Sequence, residues 1–120
     1  MDVRVPEATA NGMPYVVEVG GDIDIATVDG LEAPVIEAIQ AGQRPVILDL
    51  SECPFIDSSG LRLLLRAHHL LLDDGAGARG RVMAVVARDD VARLLRLTGV
   101  DKVIPVVTSR AEAEGLLKLA

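Results

Sequence analysis

Aromatic and basic residues are both scarce in this sequence. Tryptophan is absent, and Tyr15 and Phe55 are the only aromatic side chains. Twelve Lys and Arg stand against 18 Asp and Glu, which gives a formal net charge of −6 at pH 7. Because phosphate binding requires a basic surface and base stacking requires aromatic rings, we expect no nucleic-acid partner.

Cysteine and long apolar runs are scarce as well. The single Cys53 cannot form an internal disulfide, as is typical of proteins in a reducing compartment. No apolar run approaches the roughly 20 residues that span a bilayer. The first residues lack the charged and apolar regions of a signal peptide. We therefore expect a cytoplasmic protein with no membrane association.

What the sequence does have is a high aliphatic content, since half of its 120 residues are apolar. That proportion predicts one compact domain over residues 1–120. Strands are predicted at 3–9 and 14–20 around an Asn11-Gly12 hairpin turn, and later at 45–50, 82–87 and 103–107. Helices are predicted from about Thr27, over 59–73 and 89–97, and after a Ser109/Glu112 capping box. This order predicts an α/β fold with a mixed sheet.

Two of the predicted helices carry apolar stripes. In the first helix, Gly30 and Pro34 interrupt the pattern, so we expect a kink or a late start there. Its stripe is Val28, Leu31, Val35, Ala38 and Ile39. The stripe of the second helix is Leu61, Leu64, Leu65, His68 and Leu72, and its solvated face is Arg62, Arg66, His69 and Asp73.

The most informative segment is Asp57-Ser58-Ser59-Gly60-Leu61, which joins the aliphatic strand Val46-Ile47-Leu48 to the second helix. At a helix start, free backbone N–H groups and the positive end of the dipole favour an oxygen acceptor or an anion. A serine placed there either caps the helix or carries a regulatory phosphate. From these residues alone, capping is the favoured interpretation.

Other chemistries find little support in the sequence. The segment is not G-x-S-x-G, and His68 and His69 lie more than two turns from the serines, which argues against a serine nucleophile. Gly75 to Gly80 match G-x-G-x-x-G but follow a helix, so a dinucleotide site is not indicated. Asp22, Asp24 and Asp57 could hold Mg²⁺, although the helix dipole explains acidic residues there more simply. We expect no enzyme activity, no cofactor and no metal.

Asp49, in the central strand, raises the alternative of a receiver domain phosphorylated on aspartate. Such domains need an acidic pair after the first strand and a hydroxyl after the fourth. Here Ala10-Asn11-Gly12 follows the first strand, and Ala87-Arg88 follows Val86. The chain also opens with a hairpin, so this alternative fails.

With these motifs in place, the chain resembles the anti-sigma factor antagonists of bacteria, small proteins of the STAS fold. The similar segments are Val19-Gly20-Gly21-Asp22-Ile23-Asp24, Val46 to Leu50, Phe55 to Leu61, and Leu97-Thr98-Gly99-Val100. The resemblance implies a four- to five-stranded mixed sheet with helices packed mainly on one face. It also reverses the preference for capping: Ser58 matches the regulated serine, and Ser59 is expected to cap the helix or to support its cap.

The resemblance further implies a phosphorylation switch. The unphosphorylated protein, expected to be monomeric on its own, would bind an ATP-bound serine kinase that is itself the anti-sigma factor, and so free a sigma factor. A serine phosphatase would remove the phosphate from Ser58. The alternative is a phosphorylation-independent STAS binding module of a lipid-transport or stress-signalling complex. The predicted partner surface comprises Asp22, Asp24, Asp57, Ser59, Gly60, Arg62, Leu63 and Arg66.

Overall fold

Strands and helices alternate along the chain as predicted from the sequence. The computed structural model describes residues 1–6, 13–73 and 82–118. The predicted Asn11-Gly12 turn and the glycine-rich segment Gly75 to Gly80 lie outside these ranges. The elements are β1 (Asp2–Arg4), β2 (Tyr15–Gly20), α1 (Val28–Gln40), β3 (Val46–Glu52), α2 (Ser58–Asp73), β4 (Met83–Ala87), α3 (Asp89–Leu97), a 3-10 turn (Val100–Lys102), β5 (Val106–Val107) and α4 (Arg110–Lys118).

The five strands form one sheet in the order β1-β2-β3-β4-β5. β1 pairs antiparallel with β2, and the other neighbouring strands pair in parallel, so the sheet is mixed as predicted. One helix connects each parallel strand to the next. Because such crossovers are right-handed and all proceed in one direction, α1, α2 and α3 are placed on the same face of the sheet.

The larger hydrophobic core lies between these three helices and the sheet. Side chains alternate along β3, so that Val46, Leu48 and Leu50 enter this core while Ile47 points to the other face. The predicted stripe of α1 is buried as expected: Val28, Leu31, Val35, Ala38 and Ile39. On the opposite face, α4 packs against a smaller core of Ile47, Ala84, Val86, Ala113 and Leu117. The prediction of helices mainly on one face is confirmed, with α4 as the exception.

Several predicted details of the helices are wrong. Of the kink or late start expected in α1, the late start is wrong, because the helix begins at Val28 and continues through Pro34. Gly30, whose carbonyl oxygen loses its donor because Pro34 has no N–H, is exposed, so water can replace that donor. On α2, Leu65 and Leu72 are exposed, and the buried side chains are Leu63, Leu64, Ala67 and Leu71. Leucines occur on all sides of this helix, so the sequence pattern did not show which side is buried.

Element ends also differ from the prediction near proline. The first strand was predicted at 3–9, but among the described residues it ends at Arg4, shortly before Pro6. The last strand was predicted from Val103 and contains only Val106–Val107, directly after Pro105. Proline cannot donate a hydrogen bond to a neighbouring strand, which explains both limits. At the start of α4, the predicted cap is confirmed, because the Ser109 hydroxyl accepts a hydrogen bond from the Glu112 N–H at 3.2 Å.

Candidate functional site

Two loops meet where β2 and β3 end, and they form the base of the site. Because these strands are parallel, the loop from β2 to α1 and the loop from β3 to α2 start at the same edge of the sheet. Ile23 donates its N–H to the Phe55 carbonyl at 2.9 Å, and Asp57 donates its N–H to the Ile23 carbonyl at 3.1 Å. This parallel bridge between Ile23 and Ile56 fixes the two loops relative to each other.

Asp57 is the centre of the site and the N-cap of α2. Its Oδ1 accepts hydrogen bonds from the N–H groups of Ser59 at 2.9 Å and Gly60 at 3.3 Å. Its Oδ2 accepts the N–H of Ile25, in the other loop, at 3.1 Å. The Ser59 hydroxyl donates a further short hydrogen bond to Oδ1. The bond from Ser59, followed by those from Gly60 and Ile25, lowers the pKa of Asp57, so this carboxylate stays ionised at neutral pH.

The two serines therefore have different roles from each other, and neither is the cap itself. Ser59 supports the cap through its bonds to Asp57, which is one of the two roles expected for it. Ser58, the first residue of α2, is exposed. Within residues 1–6, 13–73 and 82–118, its hydroxyl has no hydrogen-bond partner. The expectation of several free N–H groups at this helix start is wrong, because Asp57 already occupies those of Ser59 and Gly60.

Asp24 holds the start of α1 in a similar way. Its Oδ1 accepts the N–H groups of Ala26 at 2.9 Å and Thr27 at 3.0 Å. The Thr27 hydroxyl donates to the Asp22 carbonyl at 2.8 Å. The side chain of Asp22 itself is exposed. Asp24 thus stabilises the loop that contacts Asp57, and it has a structural role beyond the partner contact expected from the sequence.

Gly60 and Leu63 are corrections to the predicted partner surface, because both are buried in the folded chain. A Cβ on Gly60 would lie 2.4 Å from Cγ1 of Ile56 and 2.9 Å from Cγ2 of Ile23. Glycine is therefore required for α2 to pack closely on the loop bridge. Leu63 is 2% exposed and belongs to the large core. It can line the floor of a groove but offers little surface to a partner.

That groove runs between α1 and α2 next to the serines. Arg66 forms an ion pair with Glu32 of α1 at 3.0 Å across it. Arg62 is exposed, as the sequence predicted. The residues lining the groove are Ile25, Val28, Asp29, Glu32, Ser59, Arg62, Leu63 and Arg66. Charged side chains of both signs thus surround a partly apolar floor.

Sequence reasoning missed two exposed apolar residues in the loops. Ile25 is 78% exposed and Phe55 is 50% exposed, although each lies within two residues of a buried isoleucine. Their backbones are fixed by the bonds to Asp57 and Ile23, so their side chains are held in solvent. The sequence offers one signal for Ile25, which lies two residues after the buried Ile23. The two side chains would point to the same side only if the extended, bridged segment continued past Ile23, and the structure has a single bridge there.

A second carboxylate cluster lies on the α4 side of the sheet. Asp49, 8% exposed, accepts hydrogen bonds from the Ser51 hydroxyl at 2.7 Å and from Arg110 Nη2 at 2.7 Å. Arg110 also contacts Glu18 at 3.1 Å. Burial alone would raise the pKa of Asp49, but the hydrogen bonds from Ser51 and Arg110 outweigh it and lower the pKa. The ion pair between Asp49 and Arg110 thus links the sheet to the first residue of α4.

Metal binding and membrane insertion find no support in the described ranges. No three His, Cys, Asp or Glu side chains there are arranged to hold a metal ion. Asp24 and Asp57, two of the candidate ligands, use their carboxylate oxygens to accept N–H and O–H bonds instead. No helix in that part of the chain is long and apolar enough to cross a bilayer.

Comparison with known proteins defines the class of this protein. The STAS domain family matches residues 5–113, and the chain belongs to this family. The anti-sigma-F factor antagonist RsfB of Mycobacterium tuberculosis is 30% identical over 112 residues, covering 92% of this chain and 86% of RsfB. A crystal structure of an anti-sigma factor antagonist from Mycobacterium paratuberculosis superposes with a TM-score of 0.80 at 27% identity, covering 98% of this chain and 95% of that one.

The same fold occurs in more distant solved structures. The anti-sigma factor antagonist SpoIIAA in its unphosphorylated form has a TM-score of 0.66 at 19% identity, and each chain is covered to 93%. SpoIIAA of Bacillus in its phosphorylated form has a TM-score of 0.62 at 18% identity, covering 93% of this chain and 96% of that one. The chain is thus a STAS protein that is similar in sequence and fold to anti-sigma factor antagonists.

Proposed function

We propose that this protein is an anti-sigma factor antagonist whose activity is switched by phosphorylation of Ser58. In its unmodified form it binds an ATP-bound serine kinase that also acts as the anti-sigma factor, and this binding frees a sigma factor. The kinase transfers the γ-phosphoryl group of ATP to the Ser58 oxygen, which loses its proton, and ADP leaves. A serine phosphatase hydrolyses the phosphate ester and restores binding. The protein is the regulated partner in this cycle and not the enzyme.

The observation that carries this proposal is the difference between the two neighbouring serines. The Ser59 hydroxyl is held by Asp57, whereas the Ser58 hydroxyl is exposed on the first turn of α2. A kinase must reach the acceptor oxygen from solvent, so Ser58 is the accessible acceptor. The similarity to RsfB, an anti-sigma-F factor antagonist, and to SpoIIAA, which has a phosphorylated form, supports the same proposal.

The surroundings of Ser58 also explain how a phosphate would stop binding. Ile25 and Phe55 provide exposed apolar surface on the flanking loops, suited to a packed interface. A phosphate would add about −1.5 to −2 charge beside the ionised Asp57. An interface that packs on a neutral hydroxyl would reject this charge through desolvation and repulsion. The loop bridge and the cap would not change, so the switch acts by blocking an interface and not by refolding the domain.

The test compares three chains incubated with the cognate anti-sigma kinase and Mg-ATP: wild type, Ser58→Ala and Ser59→Ala. We expect the wild type and Ser59→Ala to gain one phosphate, which tandem mass spectrometry places on Ser58, and Ser58→Ala to gain none. Pull-down of the kinase should succeed with unmodified wild type and with Ser58→Ala. A phosphate on Ser59 would contradict the assignment of Ser58. No phosphate with the cognate kinase, or kinase binding unaffected by the modification, would instead favour the phosphorylation-independent binding module.

A further inference from the structure

Ser58 and Arg62 lie one turn apart on the same side of α2. They are the first and fifth residues of the helix, and both are exposed. Side chains four residues apart on a helix are neighbours, with about 5–6 Å between their Cβ atoms. The favourable order for such a pair has the acidic group on the N-terminal side and the basic group on the C-terminal side. A phosphate on Ser58 would create that order.

The guanidinium of Arg62 is available for a new partner. Its neighbour on the same face, Arg66, is engaged by Glu32 at 3.0 Å. In the ranges that the structure describes, no carboxylate lies within salt-bridge distance of Arg62, although Asp29 lines the same groove. Moving Arg62 toward Ser58 would therefore break no existing ion pair with these residues.

The helix start offers a phosphate few other partners. Asp57 accepts the N–H groups of Ser59 and Gly60, which a phosphate at a helix start would otherwise use. The carboxylates of Asp57 and Asp24 are also on this edge and repel added negative charge. The remaining charged groups near the pair are Asp29 and Glu32 from α1 and Arg66 from α2. Arg62 is the cation best placed to compensate the phosphate.

We propose that Arg62 pairs with the phosphate on Ser58 and thereby changes the surface that the modified protein offers to a partner. This inference rests on the proposed modification of Ser58. Arginine binds phosphate oxygens through two parallel N–H bonds, which suits its planar head group. Phosphorylation then changes the face at two points: Ser58 becomes anionic, and Arg62 leaves the groove between α1 and α2. A partner that uses Arg62 in the unmodified protein loses that contact as well.

The experiment installs phosphoserine at position 58 during translation, so that no kinase is needed. The second ionisation of the phosphate is followed by ³¹P NMR across pH 4 to 9 in wild type, Arg62→Gln, Arg62→Lys and Arg66→Gln. Pairing with a cation favours the dianion, so Arg62→Gln should lower the second acid dissociation constant of the phosphoserine about two-fold. Arg62→Lys should retain most of the wild-type value. Arg66→Gln removes an equal charge one turn further away and should leave the constant unchanged.

Two results would overturn the proposal. An unchanged dissociation constant in Arg62→Gln would show that Arg62 does not contact the phosphate. Equal changes in Arg62→Gln and Arg66→Gln would show a general effect of helix charge in place of a specific pair. Amide spectra of each variant establish that the fold is intact. Failure of any kinase to modify Ser58 would count against the proposed function, but it would leave this measurement and its outcome unaffected.

Discussion

Asp49 and Asp57 make the same local contacts in two different regions of the molecule. Each accepts hydrogen bonds from the N–H and the hydroxyl of the serine two residues ahead, Ser51 and Ser59 respectively. The remaining donors differ: Asp49 accepts a hydrogen bond from the Arg110 guanidinium, whereas Asp57 accepts hydrogen bonds from the backbone N–H groups of Gly60 and Ile25. The Asp-x-Ser spacing therefore sets the geometry, and the long-range partner decides the role.

That difference separates a carboxylate paired with a cation from one that, in the described residues, has no cation partner. On the α4 side, Arg110 compensates the charge of Asp49 and ties α4 to the sheet. On the edge that carries Ser58, neutral donors orient Asp57 without cancelling its charge. A negative charge is thus maintained beside the accessible serine, where a second one would be repelled.

The largest effect is expected from Gly60→Ala, which removes the close packing beneath Asp57. The added Cβ would meet Ile56 and Ile23 at distances that require both side chains to shift. Overpacking costs about 1–3 kcal/mol, and contacts this short put the cost at the upper end of that range, well above the gain of up to about 1 kcal/mol from alanine in a helix. The free energy of unfolding measured in urea should therefore be lower in Gly60→Ala than in wild type. The matched control is Gly115→Ala in α4, where a Cβ has nothing within 4 Å and should stabilise the protein. Equal effects of both substitutions would contradict the packing argument.

Arg110→Ala should destabilise the protein by about 1–2 kcal/mol at pH 7, because Asp49 then stays buried without its cation. The lowered pKa of Asp49 means that this stabilisation is complete above its ordinary value of 3.8 and is lost as the pH falls through the folded-state value. The difference between wild type and Arg110→Ala should therefore shrink below about pH 4. Arg66→Ala, which breaks the exposed pair with Glu32, should cost about 0.5 kcal/mol or less. A difference that persisted unchanged in acid would argue against the ion pair.

Asp57→Ala should lower the melting temperature by on the order of 5 °C, since α2 loses its cap and the two loops lose their side-chain link. Asp57→Asn is the informative control, because asparagine caps helices well but carries no charge. Its amide oxygen keeps the cap, but its NH2 group cannot accept the Ile25 N–H, so it should melt between wild type and Asp57→Ala. If phosphorylation of Ser58 no longer blocked kinase binding in Asp57→Asn, the charge of Asp57 would be part of the switch. A melting temperature equally low in both variants would show that the charge and the link to Ile25, and not the cap, stabilise the fold.

The smallest effects come from the serines. Ser59→Ala removes one hydrogen bond to Asp57 and should cost about 1 kcal/mol. Ser58→Ala should change stability by about 0.5 kcal/mol or less, because that hydroxyl lies on the surface. Thermal unfolding of the two variants side by side measures the contrast. A larger loss for Ser58→Ala would contradict the assignment of Ser59 as the supporting residue.

The sequence was sufficient for the features that depend on local pattern. Aliphatic runs predicted β3 and β4, and the change to helical spacing after Asp57 predicted the strand-to-helix junction and the exposure of Arg62 and Arg66. The order of these elements predicted the mixed sheet, and family resemblance added that the helices pack mainly on one face. These predictions are reliable because each depends on neighbours a few residues away.

The features that were missed depend on distant or crowded neighbours. Asp49 and Arg110 are 61 residues apart, so nothing local indicates their pairing. The steric requirement at Gly60 arises from Ile56 and from Ile23, and the bridge that brings these two isoleucines together joins two loops that are distant in sequence. The cap was assigned to a serine because Asp, Ser and Ser in succession are all good caps, and only backbone geometry selects Asp57. The burial of Leu63 was missed because leucines occur on all sides of α2, so the sequence pattern did not show which side is buried.

The bridge between Ile23 and Ile56 has a consequence for solvent exchange. The amides of Ile23 and Asp57 lie in loops, yet both donate to carbonyl oxygens across the bridge, as strand residues do. The Ile25 amide is similarly covered by the Asp57 carboxylate. Hydrogen–deuterium exchange at these three amides should be as slow as in a sheet, so the rate at which this edge opens can be followed without perturbing Ser58.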